Sequence, residues 1–482
     1  LSLIKLKAHE LIEGYENRDF SCEEVTREYL ENIKAEDADL NAYVTVCAED
    51  SIAQAKKIDN KFSNREDMGL LAGVPIGIKD NIAVKGVKMT CSSKMLEDFI
   101  VPYDSVVSER IKTQDGIILG KTNMDEFAMG ASTKSSYFGV TKNPLDKTLV
   151  PGGSSGGSAA ALAGGECALS VGTDTGGSTR QPASFCGLVG IKPTYGSIPR
   201  YGISTMANTF DQVGTFGRDV EDAVILLKAL EGRDEKDATS VGNSSIQEEF
   251  DFKNIEKSIE FLKGVKIAVP KLYMDMNLDE RIKSDFDESI EVLKEKGAII
   301  DYVEIESLKY VLETYHILVN GELAPNMARF DGIRYGHRTK DYENIEELYR
   351  NTRAEGFGDE VKRRIMIGTH ILSLDLAEDY YYKALKVRTI IKNDYDRAFE
   401  KYNFVLSPTV PLLPFKIERE MSPVESYQTD LFTIPANMTG CPSISIPMPK
   451  VDGLSVGIAL TANRFKDNDL IKAALGFERS VD

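Results

Sequence analysis

Residues 150–180 carry two serine-bearing glycine turns, Pro151-Gly152-Gly153-Ser154-Ser155-Gly156-Gly157-Ser158 and Gly172-Thr173-Asp174-Thr175-Gly176-Gly177-Ser178-Thr179-Arg180. Between them, Ala159–Ala163 reads as a helix of small residues that can pack its backbone close to a neighbour. Cys167–Val171 reads as a strand. Turns of this kind gather hydroxyls and backbone N–H groups at one point. Acyl transfer needs that combination: a nucleophile, and donors aimed at the developing oxyanion. Gly176 and Gly177 have no Cβ, so the backbone before Ser178 can approach a substrate and turn its N–H groups toward it.

A serine nucleophile needs a base. The chain has only four histidines, His9, His316, His337 and His370, and none lies in a distinctive motif. A neutral lysine can replace them. Lysine titrates near about 10.4, so a useful neutral fraction at neutral pH requires a depression of roughly 3 units, which burial and neighbouring positive charge can provide. Lys79 ends the segment Gly73-Val74-Pro75-Ile76-Gly77-Ile78-Lys79-Asp80-Asn81, an apolar strand that delivers an amine to a turn. Two other readings of the first turn are weaker. Gly152–Gly156 matches the G-x-S-x-G elbow of α/β-hydrolases, but the loop-like Asn143–Pro151 precedes it where an elbow needs an apolar strand. The turn also lacks the Lys-Ser/Thr ending of a phosphate-binding P-loop.

The surrounding elements follow from periodicity. Residues 3–60 read as helices, with Ile4, Leu11 and Ile12, then Val25, Tyr29, Leu30 and Ile33, on apolar stripes. Ser21 and Glu24 form a capping-box start. Ile117–Leu119 is a short strand. Val265–Val269, a helix over Asp279–Lys296 and a strand over Ala298–Ile305 form a β-α-β unit with parallel strands. Residues 309–400 are mostly helical, and Phe404–Leu406 returns to strand. Ser443–Met448 and Ser455–Thr461 flank Asp452-Gly453 as a hairpin-like return. Residues 232–256 are polar and aperiodic, a surface crossing. The reading is one α/β domain over 1–482, with a helical N-terminal region (1–65) and a mainly helical region at 309–400.

Composition narrows the function. The net charge of −18 makes the chain a poor direct binder of nucleic-acid phosphates, so a nucleic-acid role falls to a partner. The six cysteines, Cys22, Cys47, Cys91, Cys167, Cys186 and Cys441, form no C-x-x-C or zinc spacing and read as reduced thiols of a cytoplasmic protein. No apolar run approaches the ~18 residues of a membrane span, and the first residues do not form a signal peptide.

Together these pieces resemble the amidase signature family. The likeness covers nearly the whole chain and is densest across Gly73–Asn81, Gly120–Gly130, Asn143–Gly157 and Gly172–Gly196. Lys79, Ser154 and Ser178 with their flanks make a specific combination that no one of them makes alone. Within the family, the segments Lys121–Gly130, Ala328–Gly336, Gly356–Ile365 and Tyr427–Leu431 resemble the A subunits of tRNA-dependent amidotransferases that act on Glu-tRNA(Gln) or Asp-tRNA(Asn).

The resemblance implies an α/β fold with a large mixed central β-sheet covered by helices on both faces. It implies Ser178 as nucleophile, Ser154 as a bridging serine behind a cis peptide, and Lys79 as base. The backbone N–H groups of Thr175, Gly176, Gly177 and Ser178 would form the oxyanion hole. Glutamine would be the amide donor, with Arg363 (or the adjacent Arg364) on its α-carboxylate and Asp430 on its α-ammonium. Tyr315 would line the pocket, and Met129 and Gly130 would touch substrate through their backbone. The implied partners are a B subunit, which holds tRNA and uses ATP and Mg2+, and a small C subunit; no cofactor is implied for this chain. A stand-alone amidase and a catalytically idle scaffold are the competing classes. Thr179, Ala131, Pro199 and the segment 207–212 depart from the usual pattern without removing a catalytic group.

Overall fold

Eleven strands build one mixed sheet in the computed structural model, which describes residues 2–242, 246, 250–276, 278–448 and 453–481. In chain order they are β1 (Tyr43–Val46), β2 (Pro75–Lys79), β3 (Ile117–Thr122), β4 (Leu169–Asp174), β5 (Val189–Lys192), β6 (Gln212–Gly217), β7 (Lys266–Pro270), β8 (Ile299–Val303), β9 (Phe404–Pro408), β10 (Ser443–Pro447) and β11 (Gly457–Ala462). Their order across the sheet is β1-β3-β2-β4-β6-β5-β10-β11-β9-β7-β8. β3, β2 and β4 run parallel, as do β9, β7 and β8, and the strands between them alternate antiparallel.

Strand alternation assigns the two faces. Ile267, Val269, Phe404 and Leu406 enter one apolar cluster, together with Leu11, Val25 and Tyr29 of the N-terminal helices. Ala268 and Val405, which lie between them, enter a second cluster with Tyr315, Leu318 and Val319 of the helix Val311–Met327. Successive side chains on a strand point to opposite faces, so each face carries its own helical layer. At the centre β2, β3, β4 and β6 are buried along their whole length.

Most sequence expectations hold. Ser21 and Glu24 form the capping box of the helix Cys22–Leu40. The β-α-β unit appears as β7, the helix Glu280–Glu295 capped by Asp279, and β8. β10 and β11 pair antiparallel, whereas Asp452 of the expected return lies outside the described residues. Within the polar crossing, 243–245 and 247–249 also lie outside them.

Two expectations need correction. The stretch read as helical over 3–60 contains β1, because Asn41 ends the preceding helix in the left-handed conformation and Tyr43–Val46 is β-branched and aromatic. The strand expected at Cys167–Val171 runs instead from Leu169 to Asp174. Among the described residues no helix is long and apolar enough to cross a membrane, and all six cysteines are free thiols.

Candidate active site

The parallel strands β3, β2 and β4 open their carboxyl ends on one side, with Lys79 opposite Thr122 and Ile78 opposite Val171. Crevices outside such strand ends are where open α/β sheets bind ligands. The fully buried Lys79 therefore projects toward both serine turns. Its Nζ donates to Ser154 Oγ at 2.8 Å, Ser155 Oγ at 2.7 Å and Thr173 Oγ1 at 2.9 Å. Asn81 Nδ2 also donates to Thr173 Oγ1, at 3.1 Å.

Burial pulls the Lys79 amine down to about 7. Neighbouring positive charge, expected from the sequence to help, is not among the leading causes. The neighbours that weigh most, the carboxylates Asp125, Asp174 and Asp211, oppose the shift, so desolvation carries it.

Ser154 sits behind a cis peptide from Gly153. Its carbonyl accepts the Asp125 N–H at 3.1 Å, and Gly153 N–H donates to Gln181 Oε1 at 2.8 Å. Gln181 Nε2 reaches Ala131 O at 3.0 Å, which holds the Met129–Gly130 loop beside the Ser154 turn. Met129 is buried and Gly130 partly exposed. A third link joins the two turns directly: Ser155 N–H donates to Ser178 O at 3.2 Å.

The Ser178 turn follows β4 and leads into the helix Arg180–Cys186. Burial alone would raise the Asp174 carboxyl, but Arg180 beside it holds it at about 2. Arg180 pairs with both Asp174 oxygens, at 2.9 and 3.1 Å, and also reaches Thr433 O at 2.9 Å and Asn437 Oδ1 at 2.6 Å. Asn437 Nδ2 returns to Asp174 Oδ1 at 2.9 Å. This network bolts the turn to the helix Ile434–Thr439. Thr175 Oγ1 donates to Asp211 Oδ1 at 2.7 Å, and Asp211 Oδ2 accepts the N–H groups of Met206 and Ala207.

Glycine is required at the two positions before Ser178. A Cβ on Gly176 would lie 2.4 Å from the Tyr315 hydroxyl. One on Gly177, whose φ is +141°, would lie 2.1 Å from Thr433 Oγ1. Among the described residues, no acceptor pairs with the backbone N–H groups of Thr175, Gly176, Gly177 or Ser178. Ser178 is 7% exposed whereas Lys79 and Ser154 are at 0%, so the constellation opens toward solvent at Ser178. Chemically, it offers a hydroxyl, a hydroxyl-linked amine with a large neutral fraction, and free N–H donors at one place.

A second group lies against this turn. Tyr315, on the helix Val311–Met327, is buried against Gly176. Burial raises the Asp430 carboxyl to about 8, against the pull of Arg364. Asp430 Oδ1 is shielded from solvent and has no hydrogen-bond partner among the described residues.

The two arginines between which the sequence left the choice differ in their surroundings. Both arginines pair with Glu360, Arg364 through its Nε at 2.7 Å, but the Arg363 side chain is 42% exposed whereas that of Arg364 is 7% exposed and also acts on Asp430 and Tyr315. Neighbouring positions on a helix differ by about 100° in direction, which accounts for the different burial of the two side chains.

Local sequence gave no cue to several of these contacts. Ser155 and Thr173 were visible only as members of the turns, and Asp174 and Arg180 only as flanks of the glycines. Thr433 and Asn437 reach the turn across 257 and 263 residues. Of possible metal ligands among the described residues, His9, Asp219 and Asp222 come together away from this site. Their charge is already engaged: Asp222 accepts the N–H groups of Ala8 and His9, and Asp219 pairs with Lys7 at 2.8 Å.

The chain is 48% identical over 484 residues to the A subunit of the glutamyl-tRNA(Gln) amidotransferase of Clostridium botulinum (strain Kyoto / Type A2), covering 100% of this chain and 98% of the relative. It is 46% identical over 483 residues to the protein of the same name from Clostridium kluyveri (strain NBRC 12016), covering 100% and 96%. The crystal structure of the A subunit of the Thermotoga maritima glutamyl-tRNA(Gln) amidotransferase superposes with a TM-score of 0.80 at 36% identity, covering 98% of this chain and 94% of that one. The amidase family model matches residues 24–471, and on that extent of match the chain belongs to the amidase signature family.

Proposed function

We propose that this chain is the glutaminase subunit of a cytoplasmic tRNA-dependent amidotransferase. It hydrolyses glutamine to glutamate and ammonia, and the ammonia passes to a partner subunit that amidates Glu-tRNA(Gln), Asp-tRNA(Asn) or both. The observation that carries the reading is the Lys79–Ser154 hydrogen bond of 2.8 Å within a site that also holds Arg364 and Asp430. A free amino acid needs one site for its carboxylate and one for its ammonium, and a hydrophobic amide needs neither.

In this reading Ser178 attacks the side-chain amide carbon while its proton passes to Ser154 and that of Ser154 to neutral Lys79. The N–H groups of Thr175, Gly176, Gly177 and Ser178 stabilise the tetrahedral oxyanion. Lys79 returns a proton through Ser154 to the leaving nitrogen, and ammonia departs. Water then enters by the same relay and releases glutamate. Arg364 holds the α-carboxylate, Asp430 the α-ammonium, and Tyr315 with the Met129–Gly130 backbone fixes the pose. The acidic chain leaves tRNA, ATP and Mg2+ to a B subunit, with a C subunit bracing the pair.

The test is an assay of glutamine hydrolysis by the chain alone and co-purified with B and C subunits. Vigorous cleavage of hydrophobic amides with no glutaminase in either form would favour a stand-alone amidase and overturn the proposal. The same assay separates the two arginines. Arg364→Ala is expected to raise KM for glutamine by about 100-fold, the scale of a lost charge-assisted bond. Arg363→Ala, which removes an exposed pair, is expected to leave it within about two-fold.

A further inference from the structure

We propose that His316 is a second donor to the ligand's α-carboxylate, and therefore a determinant of selectivity for a free amino acid over other amides. The inference rests on the glutamine reading above. His316 follows Tyr315 on the same helix. Its ring stacks on Tyr427 with centroids 4.1 Å apart and planes 27° from parallel, and it meets the Tyr315 ring edge-on at 5.2 Å. The Arg364 guanidinium lies 5.1 Å from the centre of the same Tyr427 ring. His316 and Arg364 thus share one aromatic support.

The decisive feature is a lack of bonding. Both ring nitrogens of His316 are shielded from solvent, and neither has a hydrogen-bond partner among the described residues. Buried polar groups are almost always paired, and a phenylalanine would fill the stack on Tyr427 without the penalty. Asp430 Oδ1 is unpaired in the same way. Arg364, whose Nε is held by Glu360 at 2.7 Å, acts on both the unpaired Asp430 carboxyl and the unpaired imidazole, a buried group that a zwitterionic ligand would complete.

The charge state fits a donor. Burial first, and Arg364 second, hold the imidazole down at about 3, so the ring is neutral at physiological pH. A neutral ring keeps one N–H to give, whichever nitrogen carries it. Such a donor can join Arg364 on a carboxylate without repelling it.

The test compares L-glutamine with 4-aminobutanamide, which keeps the amide and the amine but lacks the α-carboxylate. His316→Phe preserves the stack and removes both nitrogens. KM for glutamine is expected to rise about 10- to 100-fold, the range of a hydrogen bond to a charged group, with kcat little changed. Turnover of 4-aminobutanamide is expected to stay the same, and His316→Asn, which restores a donor, is expected to recover part of the loss for glutamine. A binding readout covers the case of a poorly active variant. In the Ser178→Ala background, L-glutamate should raise the melting temperature more than 4-aminobutyrate does, and His316→Phe should abolish that difference.

An unchanged glutamine KM, or an equal rise in KM for both amides, would overturn the role of His316. If the wild-type protein cleaves 4-aminobutanamide as well as glutamine, the glutamine reading itself fails. If the wild type prefers glutamine and His316→Phe keeps the full preference, only the His316 assignment fails.

Discussion

Ser178→Ala is expected to lower glutamine hydrolysis by at least ~10,000-fold, the scale seen when a serine hydrolase loses its nucleophile. The fold should survive the change. Ser178 is tied into the framework through its carbonyl, which accepts the Ser155 N–H at 3.2 Å, and alanine keeps that bond. The Asp174–Arg180–Asn437 network that fixes the turn does not use the hydroxyl. In the assembled amidotransferase, the variant supplied with ammonium should therefore still support amidation of misacylated tRNA. Hydrolysis of glutamine and ammonium-driven transfer, measured on one preparation, check both halves. Full glutaminase activity in Ser178→Ala, with its loss in Ser154→Ala, would restore the elbow reading in which Ser154 attacks.

Lys79 carries the second large effect. Removing a general base typically costs about 100- to 10,000-fold, and Lys79→Met is expected at the upper end because the same amine supports Ser154, Ser155 and Thr173. The pH profile gives the sharper check. Only the neutral amine can accept a proton, and burial sets its titration at about 7. Thus kcat/KM, which reports the ligand-free enzyme, should rise with pH up to that point, and kcat should rise tenfold per unit below the amine's titration point in the glutamine complex and level off above it. Lys79→Arg should be inactive throughout, since a guanidinium stays charged at every accessible pH. A separate trend belongs to Asp430, whose carboxyl titrates at about 8 without ligand. Its anionic form binds an ammonium, so KM should fall as pH rises toward that value, and Asp430→Asn should remove the KM trend while leaving the kcat trend. A kcat/KM for glutamine that stays flat between pH 6 and 9 would rule out Lys79 as the base.

Much of this site was legible in the chain because its signals are local. Gly176 and Gly177 must precede Ser178 for a close approach of backbone, and the apolar run into Lys79 is what a buried strand looks like in one dimension. Other strands left weaker traces. β5 and β6 contain Gly190, Gly214 and Gly217 where side chains would normally announce a strand, so their pairing beside β4 could not be anticipated.

The sequence by itself determined which groups are available: two hydroxyl-bearing turns, one amine at a strand end, four histidines outside any distinctive motif, and a charge unsuited to nucleic acid. Tertiary structure decided what those groups can do. The amine gains a large neutral fraction only because the sheet sets β2 between β3 and β4 and buries it, and desolvation depends on the whole surround rather than on neighbours in sequence. Arg364 is buried and Arg363 exposed because one step along a helix turns a side chain by about 100°. Asp430, Thr433 and Asn437 join the Ser178 turn from the far end of the chain, since the fold closes that distance without leaving any mark in the local sequence.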